Sequence, residues 1–145
     1  MKIALIACCK KKQGQNEPEK KFKAKNLYLG NSFKKSINQG VEKFGCDDYY
    51  IISAKHHLLD KSELVSYYDK TLSKMSVKER HEWADEVLKE LGAKFDLSND
   101  EFFIFGGTKY YENLAPHLNC TVFNYQGSNS INLDSIKAVY RNGGK

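Results

Sequence analysis

Four short apolar runs punctuate the chain, at residues 2–8, 49–53, 102–105 and 121–123. Each is continuous rather than alternating, the pattern of a strand covered on both faces. Helical spacing fills the gaps. Ser32 can cap a helix running to about Lys43, with Phe33, Ile37, Val41 and Phe44 three or four apart. Ser76 and Glu79 form a capping-box pair ahead of Val77, Trp83, Val87, Leu88 and Leu91, and Gly92 ends that helix. A third helix is expected from about Lys109 to Leu118, interrupted near Pro116, and a last from Asn132 to Tyr140, before a frayed tail. The order βαβαβαβα predicts one α/β domain over residues 1–145, doubly wound and Rossmann-like, with about four parallel strands flanked by helices. Two stretches stay irregular: a Lys-rich loop at about residues 9–26, and residues 54–73.

Composition narrows the class. With 145 residues, 41% hydrophobic and 28% charged, the chain is one globular domain and not a disordered segment. No apolar run approaches the roughly 20 residues of a membrane span, which predicts no membrane contact. The formal charge of +5 is unevenly placed. Residues 1–45 hold eleven lysines against three acids, a surplus of +8, and the remainder carries −3. Arg80 and Arg141 are the only arginines, which argues against reading base edges with guanidinium forks and for meeting phosphate with point charges. The opening apolar stretch is too short for a signal peptide and runs into Lys10, Lys11 and Lys12, so a cytoplasmic protein is expected. Cys8, Cys9, Cys46 and Cys120 have neither C-x-x-C spacing nor a His at a zinc-like interval. They read as buried free thiols at strand ends, two disulfides being the alternative. No metal and no cofactor is expected.

In an open parallel sheet, ligands bind beyond the carboxyl ends of the strands. That rule turns strands into a site. Strand one ends at Cys8, Cys9, Lys10, Lys11 and Lys12. Strand two leads into Ser53, Ala54, Lys55, His56 and His57. Strand three leads into Gly106, Gly107, Thr108, Lys109 and Tyr110, and strand four into Tyr125, Gln126 and Gly127. Gly106-Gly107 before a helix can present backbone N–H groups to phosphate, or be only a tight connection, and it lacks the spacing of a Walker loop. The three lysines can be a solvated run or phosphate contacts. His56 and His57 titrate near neutrality, and adjacent histidines without a third ligand do not suggest a metal. Tyr68-Asp69 places a carboxylate among aromatics in an irregular segment, suited to base or ribose recognition or to capping a turn. His81 and His117 read as surface residues, and Trp83 as core.

These residues carry a resemblance. Cys8 or Cys9 with Lys10 to Lys12, then Ala24, Leu27 and Tyr28, then Ser53 to Leu59, then Tyr68, Asp69, Thr71 and Leu72, then Gly107 and Tyr110 follow one pattern across nearly the whole chain. It resembles that of a family of small bacterial and phage domains with Ser-Ala-Lys-x-Gly-Leu-Leu and Pro-Tyr-Asp-x-Thr-Leu motifs. The same signature looks like the core of the larger YaaA peroxide-stress proteins, which are associated with DNA binding. His57 stands where the family has glycine, and Tyr67 where it has proline. A glycine is needed where φ is positive or a ligand approaches closely.

The resemblance implies a nucleotide or nucleic-acid partner. The expected function is an enzyme acting on a nucleoside, nucleotide or modified base, at the N-glycosidic bond. Asp69, Ser53 and His57 are its candidate catalytic residues, with Asp69 stabilising oxocarbenium-like charge or activating water. Cys8, Lys10, Lys12, Lys55, His56, Tyr68, Gly106, Gly107, Lys109, Tyr110 and Gly127 are candidates to hold ligand or phosphate. The alternative is a module that binds DNA or RNA, or sequesters a nucleotide, without turnover. It would stack bases on Tyr28, Tyr49 and Tyr50 if they are exposed.

Overall fold

The structure is a computed structural model and describes residues 1–123 and 138–143. Strands β1 (Lys2–Ala7), β3 (Asp48–Ser53), β6 (Glu101–Phe105) and β7 (Cys120–Phe123) coincide with the four apolar runs. Two further strands extend the sheet, β4 (His57–Asp60) and β8 (Tyr140–Asn142), giving the order β4-β3-β1-β6-β7-β8. The pairings β1–β3, β1–β6 and β6–β7 are parallel, whereas β3–β4 and β7–β8 are antiparallel. A separate antiparallel ribbon pairs β2 (Lys21–Lys23) with β5 (Leu64–Ser66).

The Rossmann-like expectation of about four parallel strands is therefore corrected. The fold is α/β with a mixed six-stranded sheet and a second small sheet. The added strands escape a search for apolar runs because they lie at edges. His57-Leu58-Leu59-Asp60 has two apolar positions between polar ends, and Tyr140-Arg141-Asn142 has no apolar run at all. Tyr140 belongs to β8 and not to a helix end. Ala138 and Val139 are not helical either, and residues 132–137 of the expected last helix lie outside the described residues.

The helical segments are shorter and less regular than expected. Helix α1 spans Ala24–Leu27, inside the expected basic loop, and α2 spans Asn31–Lys35, capped by Gly30 and not Ser32. The Ser36 hydroxyl donates to the Ser32 carbonyl at 2.7 Å, and from Ser36 to Val41 the chain winds as a π-helix. Helix α3 (Val77–Gly92) keeps its reading: Glu79 N–H donates to Ser76 Oγ at 3.1 Å, and Ser76 N–H donates to Glu79 Oε1 at 3.0 Å. It buries Trp83, Ala84, Val87 and Leu91, while Val77 in its first turn is exposed. Helix α4 (Thr108–Tyr111) is one turn, with a 3₁₀ turn at Ala115–His117 where Pro116 breaks the pattern. Among the described residues, no helix is long and apolar enough to cross a membrane.

The β3–β4 hairpin accounts for the backbone at His57, where the resemblance leads one to expect glycine. Ser53 pairs with His57 across the loop Ala54-Lys55-His56. His57 closes that loop at φ +60°, the one non-glycine residue with positive φ among those described. The position asks for left-handed backbone, and His57 bears the steric cost of its Cβ. His57→Gly is expected to stabilise the fold by about 0.5–1 kcal/mol, the relief being partly offset by the greater freedom of glycine in the unfolded chain. Urea unfolding reads this as a higher midpoint. A lower midpoint would mean the imidazole makes a stabilising contact there.

Helix α3 packs beside β4 through a carboxyl pair. Glu90 Oε1 accepts the Leu58 N–H at 3.1 Å. Burial, then a hydrogen bond with Glu86 one turn earlier, raises the Glu90 carboxyl to about 7, while the same bond lowers Glu86. Native Glu90 thus holds a proton that the unfolded chain has released. Its contribution to stability is full below about 4.5 and lost as pH rises through 7. Glu90→Gln keeps an acceptor for Leu58 without the charge, so its melting temperature should gain on the parent between pH 5 and pH 8. Parallel curves at the two pH values would remove the pair from the account. The comparison cancels the opposite trend from His56 and His57, which burial pushes down.

Candidate functional site

From β1 the chain crosses to β3 on one side, while β6 pairs on the other. Such a reversal opens a crevice at the carboxyl ends of the strands. A cleft of about 840 Å³ lies there. Its floor is the end of β1, Ala7 to Lys11. Leu29 to Ser32 enter from the turn into α2, Thr71 and Ser73 from the segment before α3, and Gly107 to Tyr110 with Glu112 from α4.

The cleft is cationic. Lys10, Lys11 and Lys109 reach it from exposed positions. Among the described residues Glu112 is the one acid in its wall, and Arg80 Nε stands 3.4 Å from its Oε1. Arg80 is held in turn by donating to the Met75 carbonyl at 2.7 Å.

Behind the floor lies a buried polar layer built from the segments the sequence left irregular. Ser53, fully buried at the end of β3, is its hub. Ser53 Oγ is 2.7 Å from the Tyr68 hydroxyl, which is 2.6 Å from that of Tyr28. Ser53 Oγ also accepts the N–H groups of Lys55 at 3.2 Å and His56 at 3.0 Å, and the Ser53 carbonyl accepts from Trp83 Nε1 at 2.8 Å. Burial pushes the Tyr28, Tyr68 and Tyr110 phenols well above their ordinary range. Lys12 is only 7% exposed. Its amine lies over the Tyr68 ring at 4.4 Å, and burial lowers its pKa.

Of the expected site residues, Cys8, Lys10, Gly107, Lys109 and Tyr110 converge on the cleft. Ser53, Tyr68 and Lys12 form the layer behind it. Gly106 serves packing: a Cβ there would stand 2.8 Å from that of Ala7, so β1 and β6 approach closely only with glycine. Lys55 and Asp69 are exposed, and with His56 and His57 they stand outside the cleft wall. His56 packs edge-on to the Tyr68 ring at 5.3 Å. Gly127 lies outside the described residues. Tyr28 is fully buried and Tyr50 nearly so, which removes both as stacking platforms. Lys21 and Lys23 of the basic segment lie on the β2–β5 ribbon and are not part of the cleft wall.

The search by strand ends missed Leu29, Gly30, Asn31, Ser32, Thr71 and Ser73. Only Ser32, as an expected cap, and Thr71, inside the Asp69-x-Thr71-Leu72 pattern, had been marked by any signal. Among the described residues, no group of three or more His, Cys, Asp or Glu could hold a metal ion.

No curated protein and no solved structure matches the chain. The expected likeness to the YaaA peroxide-stress proteins, with the DNA binding it implied, is therefore withdrawn. A family model does match, over residues 3–128, from the first residues of β1 past the end of β7. That range takes in every residue of the cleft wall and of the buried layer behind it, and the chain belongs to the family described as "Family of unknown function (DUF6884)".

Proposed function

We propose that the cleft binds a small phosphate-bearing ligand of nucleoside-phosphate size. The observation that carries this reading is the convergence of Lys10, Lys11 and Lys109 on a crevice in which, among the described residues, the one acid is already paired with arginine. Lysine ammonium groups at a low-dielectric crevice concentrate anions. The volume, about 840 Å³, exceeds what a phosphate alone needs and lies in the usual range of small-molecule sites. Ala7, Leu29 and Tyr110 give the wall an apolar part for the body of the ligand. The reading is binding rather than N-glycosidic turnover, because Asp69, Ser53 and His57 stand away from this wall. A cytoplasmic setting belongs to the same proposal, since nucleotides abound there and all four cysteines are free thiols.

Isothermal titration against nucleoside mono- and diphosphates, with the matching nucleosides and inorganic phosphate, tests it. Nucleoside phosphates should bind, nucleosides should not, and affinity should weaken with salt. Binding of nucleosides as tight as their phosphates, or of none of the panel, would overturn the reading.

A further inference from the structure

Glu112 is out of keeping with a cleft for anions. A carboxylate repels phosphate, yet Glu112 lines the same wall as Lys10, Lys11 and Lys109. It caps the C-terminal end of α4 and stands one turn after Thr108, whose carbonyl accepts its N–H at 2.9 Å. The side chain is 37% exposed and is held in place. Arg80 Nε meets its Oε1, and Arg80, 14% exposed, is fixed by its bond to the Met75 carbonyl. That contact engages one carboxylate oxygen. Among the described residues, no protein group pairs with Oε2.

Two hydroxyls share the wall. Thr71 precedes the 3₁₀ turn Leu72–Lys74, and Ser73 lies within it. Their oxygens, Thr71 Oγ1 and Ser73 Oγ, are 2.8 Å apart. One proton is engaged in that bond, which leaves the pair one O–H donor and open lone pairs. The turn packs on α4, and Met75, which anchors Arg80, follows it directly. The acid and the two hydroxyls thus stand at one junction, between α4 and the segment before α3.

Such a junction suits hydroxyl groups. A carboxylate only accepts, whereas a hydroxyl both donates and accepts. A dianionic phosphate offers acceptors alone and gains nothing from Oε2. A sugar diol offers two donors, and its oxygens can accept from the Thr71–Ser73 pair. The cleft volume, about 840 Å³, leaves room for a sugar beside the phosphate.

We propose that Glu112, with Thr71 and Ser73, reads ribose hydroxyls, so that the ligand class is ribonucleotides in preference to 2′-deoxyribonucleotides. The proposal rests on the reading of the cleft as a nucleoside-phosphate site. Glu112 Oε2 accepts the 2′-hydroxyl proton, while Arg80 fixes the carboxylate and offsets its repulsion of the phosphate. A ligand without that hydroxyl leaves the carboxylate lacking its donor, which is how a hydrogen-bonding site discriminates.

Calorimetric titration of the intact protein with the four ribonucleoside 5′-monophosphates and their 2′-deoxy forms reads the preference. The best ribonucleotide should bind about tenfold tighter than its 2′-deoxy form, the effect of one charge-assisted hydrogen bond at a part-exposed group. Glu112→Gln keeps the shape and an acceptor for Arg80 and removes a negative charge. It should tighten the 2′-deoxy form, through weaker repulsion, and shrink the ratio to about threefold or less. Thr71→Val breaks the hydroxyl pair and should reduce the ratio by about threefold. A carboxylate that serves only as the partner of Arg80 would give a different result: Glu112→Gln would raise both affinities equally and leave the ratio where it was, which overturns the proposal. Equal or tighter binding of the 2′-deoxy forms by the parent also overturns it, and leaves the anion-binding reading standing. Binding of neither form overturns both. Should Glu112→Gln fail to fold, the ratio in the parent and in Thr71→Val decides.

Discussion

Ser53→Ala is expected to destabilise the protein by about 2–3 kcal/mol, a large effect for the removal of one atom. The loss does not come from packing, since only one oxygen is removed. It comes from what that oxygen holds. Ser53 Oγ receives two backbone N–H groups, from Lys55 and His56, and bonds the buried Tyr68 hydroxyl. Two donors of the tight β3–β4 loop would lose their acceptor, and Tyr68 would keep only Tyr28. A buried polar group without a partner costs roughly 1–3 kcal/mol. For a domain of this size the change corresponds to a fall of roughly 5–10 °C in melting temperature. Tyr68→Phe should have a similar effect, since it deprives Ser53 and Tyr28 of one shared partner. In a double-mutant cycle the two losses should fall short of additive, because both dissolve one network. Additive losses, or a Ser53→Ala protein as stable as the parent, would show that the network is not cooperative. The same variant separates structure from chemistry: at low temperature, where it stays folded, Ser53→Ala should keep its nucleotide affinity.

The physical origin of each element decides how much of it was legible. The four central strands are buried on both faces, so their residues had to be continuously apolar, and that requirement is written in residues 2–8, 49–53, 102–105 and 121–123. Helix α3 was legible because its start is a local device, the Ser76–Glu79 exchange, and its core face is periodic. Edge strands carry no such signature. The partner of β4 is fixed by the loop Ala54-Lys55-His56 and the positive φ of His57, and histidine at that position hides the turn that glycine would have announced. The site divides in the same way. Cys8, Lys10, Gly107, Lys109 and Tyr110 follow strand ends, so the strand-end rule reaches them. Thr71 and Ser73 come from a segment whose place depends on Tyr68 and Leu72 being buried, a tertiary fact. Ser53 was marked for chemistry because it is polar and follows a strand. Its three hydrogen bonds instead tie together the hairpin and the tyrosines.

Removing both Lys10 and Lys109 is expected to weaken nucleoside-phosphate binding by about 30- to 150-fold. Each ammonium is exposed in the free protein, so its contact with a phosphate is discounted to about 1–1.5 kcal/mol, and the two together give that factor. The lysines follow the ends of adjacent parallel strands, Lys10 after β1 and Lys109 after β6, and both line the cleft. One phosphate touched by both should therefore lose affinity from either single change, and the salt dependence should flatten in the double variant. Stability should barely move, because neither side chain is buried. The control is Lys21→Ala/Lys23→Ala on the β2–β5 ribbon, which removes the same charge away from the cleft. If the +8 of the first third acts as a general field, the control should weaken binding as much as the cleft variant does. If the charge acts at the strand ends, the control should stay within about twofold of the parent, the size of a screened long-range effect. An equal loss from both would replace a pocket with a broad basic surface as the seat of binding.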